Sequence, residues 1–423
     1  MIRSGRVGLV LVVLLLLPAA VSAQRETKQT REASKYIGLA MTRSDDAERM
    51  EMYRQALQHL REGMTEDPQN ARVWLIAGST FAALGQMAEA DSALDRALAL
   101  HPDYAEEIEG ERENAWINAF NEGIQLMDQQ RYDEAIAKME AAQTIYSLRP
   151  EALMNLGALY SNAGQYDKAV EALRGAIEAT HGPLFERLDE AQKADWVRFR
   201  SIANSNIAQI LGQQGVAHFQ AETFDAAATA FLQAAEINPH ARDYWFNYGQ
   251  SLWAQSSALE EQLKTASAQD SGRIVPQLRE LYAKIQEASA KTREFDPNNE
   301  VVYLMAANTH RMMGELDPSA REASQQAALR MLEAHAAMNV ALDQIAVLPE
   351  AEGTVRISGM LKNLKATEGS TVTIRFTLVD IEGNQVGEGA VTATAPAAEQ
   401  TVPFESTASV TGEVAGWKYT IAQ

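Results

Sequence analysis

Residues 70–103 read NARVWLIAGSTFAALGQMAEADSALDRALALHPD, and this stretch decides the fold. Trp74, Ala77, Gly78, Phe81, Ala90, Leu94, Ala97 and Pro102 form a pattern. Its internal offsets return at Leu153, Leu156, Gly157, Tyr160, Ala169, Leu173 and Ala176. A fixed repeat of about 34 residues is the mark of stacked helical hairpins. Gly78 and Gly157 suit points where two helices cross too closely for a side chain, and Ala90, Ala135, Ala169 and Ala227 do the same on the facing helix. Trp74, Phe81, Tyr160 and Phe231 fill the space between neighbouring hairpins. Pro68, Pro102, Pro239 and Pro297 stop the second helices, because proline cannot continue the hydrogen-bond ladder. A stack of this kind presents an extended concave surface rather than a deep catalytic pocket.

Further copies are less regular. Phe120 to Ala142 keeps Gly123, Tyr132, Ala135 and Met139, with Ala119 where a bulky residue is usual. Ile207 to Pro239 keeps Gly215, Phe224, Phe231 and Ala234; Trp245, Tyr248, Gly249 and Leu252 make a further first helix, and Tyr303 to Gly314 a last, weaker one. At the front, Ala56, Leu60 and Pro68 mark a second helix whose partner, around Tyr36 to Met50, has diverged. Extra residues lie at Asp103 to Glu113, around Leu184 to Ala208, with Asp189 near the start of a helical extension, and around Ala254 to Pro276. The last reads as a projecting hairpin turning at Gln269-Asp270-Ser271-Gly272. Asp317-Pro318 is expected to open a capping helix, N-cap and first helical residue respectively, whose stripe is Met331, Met338, Leu342 and Ile345. That stripe either seals the stack or makes a dimer contact.

These residues resemble the tetratricopeptide repeat. The resemblance implies a right-handed α-solenoid, here of about seven hairpins plus a capping helix over residues 24–346, that binds a protein or peptide in its concave groove.

The front of the chain reads differently. Arg3 and Arg6, the apolar run Val7 to Leu17, and Val21-Ser22-Ala23 make residues 1–23 a signal peptide with cleavage before Gln24. The alternative is an uncleaved signal anchor. No Cys follows the apolar run, or occurs anywhere, so neither a lipid-modified N-terminus nor a disulfide is expected. No Asn-x-Ser/Thr sequon occurs, which fits a bacterial envelope. The chain has 37 basic and 57 acidic residues; cleavage would remove Arg3, Arg6 and no acid, taking the net charge from −20 to −22. Such a chain repels phosphate backbones, so nucleic acid is not an expected partner, and the acidity reads as solubility.

Composition changes after Pro349. Val355, Ile357 and Leu361 alternate with polar residues, as do Val372, Ile374, Phe376 and Leu378, then Val402 and Phe404, then Trp417, Tyr419 and Ile421. Period-two alternation with a turn at Glu382-Gly383-Asn384 predicts a small all-β sandwich over 347–423. Gly359, Asn363, Phe376-Thr377-Leu378-Val379-Asp380, Gly383 and Pro403-Phe404 resemble the FxLYD domain, a module of exported bacterial proteins, with Val379 where that family has Tyr.

No phosphate loop, nucleophile elbow, Ser-x-x-Lys pair or His-Glu-x-x-His motif is present, and the seven histidines are scattered. No catalytic, cofactor or metal residues are therefore assigned. One constellation points to binding. Asn121, Asn155 and Asn247 each precede a repeat glycine by two positions. In the tetratricopeptide family this face lines the groove. An amide offers the donor and acceptor that an extended peptide requires. Phe120, Met154 and Phe246 lie beside them, with Phe219 and Trp253 on the same face; these could equally be repeat consensus packing on the chain's own helices. Leu75 stands where a basic clamp would begin, which argues against recognition of a C-terminal carboxylate. The expectation is an exported, non-enzymatic scaffold of the periplasm or cell envelope of a Gram-negative-type bacterium, needing no cofactor, that binds a protein or peptide. The alternative is an accessory subunit of a membrane complex held by the uncleaved segment.

Overall fold

The computed structural model describes residues 25–351 and 353–422. The expected signal peptide, residues 1–23, lies outside them. Fourteen α-helices among the described residues follow one another as seven consecutive pairs. They are α1 Lys28–Met41, α2 Asp46–Glu66, α3 Ala71–Ala83, α4 Met87–Leu100, α5 Ala105–Asp128, α6 Tyr132–Ile145, α7 Glu151–Asn162 and α8 Tyr166–Ala179. The second half holds α9 Glu190–Gln220, α10 Phe224–Ile237, α11 Arg242–Thr265, α12 Ala268–Phe295, α13 Glu300–Leu316 and α14 Arg321–Ala337. Two compact units divide the chain. One holds the described residues through Ala163 with Arg174–Trp196; the other holds Gly164–Leu173 and the chain from Val197.

Within each unit the repeat residues do what their chemistry requires. A β-carbon at Gly78 would lie 2.6 Å from Leu94, one at Gly123 2.8 Å from Met139, and one at Gly215 2.8 Å from the ring of Phe231. Only glycine allows these helices to approach. Ala90, Ala135, Ala169 and Ala227 are fully buried.

The turns between repeats are built by one rule. Asp67-Pro68-Gln69-Asn70 and Asp296-Pro297-Asn298-Asn299 each end a helix and cap the next. Asn70 accepts from the Arg72 amide at 3.2 Å, and Asn299 from the Val302 amide at 3.3 Å. The aromatic residue six positions after each proline then donates to the proline carbonyl. Trp74 does so to Pro68 and Trp245 to Pro239, both at 3.0 Å, and Tyr303 to Pro297 at 3.2 Å. These bonds fill a carbonyl that proline's ring leaves outside the helical ladder.

Three expectations are corrected. The projecting hairpin turns earlier than expected: Ser267 caps α12 by accepting from the Asp270 amide at 3.2 Å, which makes Gln269–Gly272 its first turn. Asp317 is not an N-cap. It ends α13, and its carboxylate accepts from the Ser319 amide at 3.0 Å, so the next helix waits until Arg321. That helix is the second member of the last pair rather than a separate cap, and it stops at Ala337, so Met331, Met338, Leu342 and Ile345 do not share a helical stripe.

From Val340 the backbone is extended, and the division expected between 346 and 347 falls inside strand β1, Val340–Ala351. β2 is Thr354–Asn363, β3 Thr371–Val379, β4 Gln385–Thr394, β5 Thr401–Ser409 and β6 Gly416–Ala422. They form two three-stranded antiparallel sheets, β1-β2-β5 and β4-β3-β6. Val340, Leu342, Ile357, Leu361, Ile374, Phe376, Leu378, Phe404 and Tyr419 share one core. Gly359 lies opposite Phe404 in the β2–β5 register, and a β-carbon there would meet the Phe404 ring at 2.5 Å. Asn363 is buried and donates to the carbonyls of Ala366 at 3.0 Å and Pro396 at 2.6 Å. Both motif residues are therefore structural.

The sandwich is docked on the turns of its own unit. Asn238 donates to the Ala415 carbonyl at 2.8 Å, and Asn298 donates to the Val340 carbonyl at 2.9 Å. The deepest contact is Asp296, which is fully buried. It accepts from Arg242 at 2.6 Å, from Asn299 at 2.9 Å and from the Tyr419 hydroxyl at 2.6 Å. The same hydroxyl accepts from the Asn298 amide at 3.0 Å. A buried carboxylate is tolerated only when it is paired and hydrogen-bonded in this way. Burial, followed by Asp296, pushes the Tyr419 phenol well above its ordinary pKa, which keeps it a donor.

Candidate functional site

A cleft of the first unit, about 550 Å³, opens between α2, α3, α5 and α6. Its wall is α5, whose Asn114, Asn118, Asn121 and Gln125 all line it. Steps of four, three and four residues put these side chains on one helical stripe. The stripe runs ~16 Å at 1.5 Å per residue, the length of about five residues of extended chain. Asn114, Asn118 and Asn121 are exposed, and among the described residues no protein group bonds to their amides. Ser79 and Ala82 of α3 face the stripe, and Ala119 and Ala141 keep the floor shallow. Charge in the cleft is balanced. Lys138 pairs with Glu122 at 2.5 Å, while Arg49 and Glu111 add one charge of each sign. The arrangement suits a neutral backbone presenting alternate N–H and C=O groups, not a charged tail.

Of the residues expected from the sequence in this unit, Asn121 lines the cleft. Phe120 instead stacks on Trp116, ring centroids 4.7 Å apart, and Arg149 lies 4.5 Å above that indole. Asn155 donates to the Glu151 carbonyl of its own helix at 3.1 Å, and Met154 is half-buried. Asn114 and Asn118 were missed because they precede the repeat consensus; the stripe 114-118-121-125 was the signal available.

The second unit has its own cleft of about 540 Å³, between α10, α11 and α12. Leu232, Leu252, Leu259 and Leu281 form its floor, and Gln255, Gln262 and Gln277 its rim. None of Phe219, Phe246, Asn247 and Trp253 lines it. Phe219 is 37% exposed and meets Phe224 edge-on at 5.3 Å. Phe246 lies beneath the Arg242 guanidinium at 4.4 Å, so its ring belongs to the Asp296 network. Trp253 packs against the helical core, and Asn247 is half-buried. Among the described residues no group of His, Asp and Glu is arranged to hold a metal ion, and no helix is long and apolar enough to cross a membrane.

Two tetratricopeptide-repeat family models match the chain, one over residues 47–109 and 126–192, the other over 213–268. The helical part thus carries tetratricopeptide repeats. Similar solved structures include YrrB, described as a TPR protein with an unusual peptide-binding site. It is 16% identical over 57% of this chain and 95% of that one, with a TM-score of 0.23. MamA of AMB-1 is 17% identical over 53% of this chain and 91% of that one, with a TM-score of 0.26. The C-terminal part of a TPR repeat-containing protein from Cytophaga hutchinsonii is 13% identical over 72% and 94%, with a TM-score of 0.23. At these identities the likeness is one of fold alone. No curated protein matches the chain.

Proposed function

We propose that this protein is an exported, non-catalytic adaptor of the bacterial cell envelope that holds an extended segment of a partner protein in the amide-lined cleft of its first unit. The tetratricopeptide repeats support a protein-interaction scaffold. The observation that carries the peptide reading is the stripe of free amides at Asn114, Asn118 and Asn121 in a cleft without net charge. Export rests on the sequence of residues 1–23, and mass spectrometry of the native protein should find Gln24 first. The C-terminal sandwich, with Phe376-Thr377-Leu378-Val379-Asp380 on β3, is read as an FxLYD-like module.

The test places a photo-crosslinking residue at position 118, exposes the protein to envelope extract and identifies the captured segment. Affinity for that segment is then compared between the parent and the Asn114→Ala, Asn118→Ala, Asn121→Ala triple variant. Each lost hydrogen bond is worth about 0.5–1.5 kcal/mol. The triple change should therefore weaken binding between about 10-fold and about 2,000-fold. The melt should not move, because these side chains are exposed. No captured segment, or an affinity unchanged within about twofold (under about 0.5 kcal/mol), would remove the reading.

A further inference from the structure

Two polar groups in the cleft of the second unit have no matching group in the protein. The first is the hydroxyl of Tyr248. This residue lines the cleft and is only 5% exposed, yet among the described residues nothing bonds to its hydroxyl. A hydroxyl this deep is normally paired. The Trp116 indole nitrogen also lacks a partner, but it is sealed from solvent; the Tyr248 oxygen is not. The open side of so buried a residue is the cleft it lines. Burial first, then the carboxylates of Glu287, Glu236 and Glu280, push its phenol up to about 12, so it stays protonated.

The second group is the carboxylate of Asp225. Three charged residues line the cleft: Asp225, Glu280 and Lys284. Lys284 bonds to Glu280 at 2.7 Å, and the two charges cancel. Asp225 accepts only from the Gln255 amide, at 3.4 Å, and among the described residues no cation pairs with it. The cleft therefore carries one uncompensated negative charge, unlike the balanced cleft of the first unit.

The apolar lining gives the shape of the ligand. From α11 come Tyr248, Leu252, Gln255, Leu259 and Gln262, in steps of four, three, four and three. They form one helical stripe, ~21 Å long at 1.5 Å per residue. Leu252 and Leu259 stand two turns apart on it, while α10 adds Leu232 and α12 adds Leu281. Apolar contacts at a two-turn spacing match what a second helix repeats along its own face.

We propose that this cleft seats an amphipathic helix of a partner protein, about four turns long, whose apolar stripe lies on the four leucines and whose Lys or Arg pairs with Asp225. The Tyr248 hydroxyl then meets a polar group of the same helix. Opposite charge selects the partner and the leucines supply the contact area. The amide cleft is a separate site, and failure of either reading leaves the other standing.

The test is calorimetry of the whole chain with three synthetic 14-residue peptides. One has a Leu stripe flanked by Lys, one has Glu in place of Lys, and one is the Lys peptide with a central Pro. The Lys peptide should bind one to one, and the Glu and Pro peptides should not. Asp225→Asn should weaken binding by about 10-fold or more, and Tyr248→Phe by about 2- to 10-fold. The Tyr248→Phe melt should not fall, because the lost hydroxyl has no partner in the protein. Ala258→Arg, at an exposed position lining the cleft, should block binding and leave the fold intact. No binding of the Lys peptide up to ~1 mM overturns the proposal. So does equal binding by parent, Asp225→Asn and Ala258→Arg, which would place the peptide elsewhere. Equal affinity of the Pro peptide would make the occupant an extended segment. Self-association of the chain in sedimentation, abolished by Ala258→Arg, would make it a second copy; either result refutes the partner helix.

Discussion

Removing one oxygen atom at Tyr419 should loosen the C-terminal sandwich from the helices. Tyr419→Phe keeps the ring, which packs 5.6 Å from that of Phe376, and deletes only the hydroxyl. Two hydrogen bonds go with it: the one donated to buried Asp296 at 2.6 Å and the one accepted from the Asn298 amide at 3.0 Å. A bond to a charged group contributes about 1.5–3 kcal/mol and an ordinary one about 0.5–1.5. The loss is then about 2–4.5 kcal/mol, felt where the sandwich meets the turn at Pro297. Hydrogen exchange of the β6 amides in the full chain reads this directly as an opening free energy. Exchange should accelerate between about 30-fold and about 2,000-fold. Asp296→Asn combined with Tyr419→Phe should be non-additive by about 0.5–3 kcal/mol, because the two share one bond. Acceleration below about threefold (under about 0.7 kcal/mol), with additive effects, would mean the hydroxyl does not hold the sandwich to the helices.

Gly78→Ala should destabilise the first unit by about 1–3 kcal/mol in urea melts, since its β-carbon would lie 2.6 Å from buried Leu94. Gly38→Ala, with nothing within 4 Å on α1, should stabilise it by about 0.5–1 kcal/mol; the opposite order would refute the packing argument. Alkali should unfold the protein. Burial first and then neighbouring carboxylates push Tyr146, Tyr244 and Tyr248 up to about 12, and Tyr282 and Tyr419 are raised as well. Unfolded tyrosines ionise near ~10, so the unfolded chain sheds protons first. Stability is full below that pH and falls as pH climbs through about 12. Tyrosinate absorbance and helical circular dichroism followed together should show the buried phenols ionising only as helix is lost. Complete ionisation near pH ~10 with the helices intact would contradict this.

The helical part was legible because its rules are local. Gly78, Gly123 and Gly215 announce a close crossing wherever a bulky residue, Leu94, Met139 or Phe231, follows at sixteen positions. Strand β1 was not legible. Its inward residues Val340 and Leu342 alternate, but Gln344 has a φ of 52° and the β1–β2 register shifts between Asp343 and Ala346. The bulge breaks the period of two and leaves spacings that also fit a helix. In the candidate site, Asn121 could be read from the repeat, whereas Phe246 could not be assigned correctly. Its partner Arg242 is held by Asp296, 54 positions away, and only folding brings that carboxylate to it.

The docking of the sandwich has a mechanical consequence. Asn238 lies just before α11 and Asp296 just after α12, so the module fastens both limbs of one antiparallel pair at the same end. The cleft of the second unit lies along those limbs, and among the described residues no such strap holds the far end, where Thr265 turns to Ala268. The pair is a set of tongs with a pinned pivot. Each limb is at least ~36 Å long, so a rotation of only about 5° at the pivot moves a tip by ~3 Å. The stiffness of that pivot is shared by the Asn238–Ala415 bond and the buried Asp296, both at the end of the lever opposite the tip.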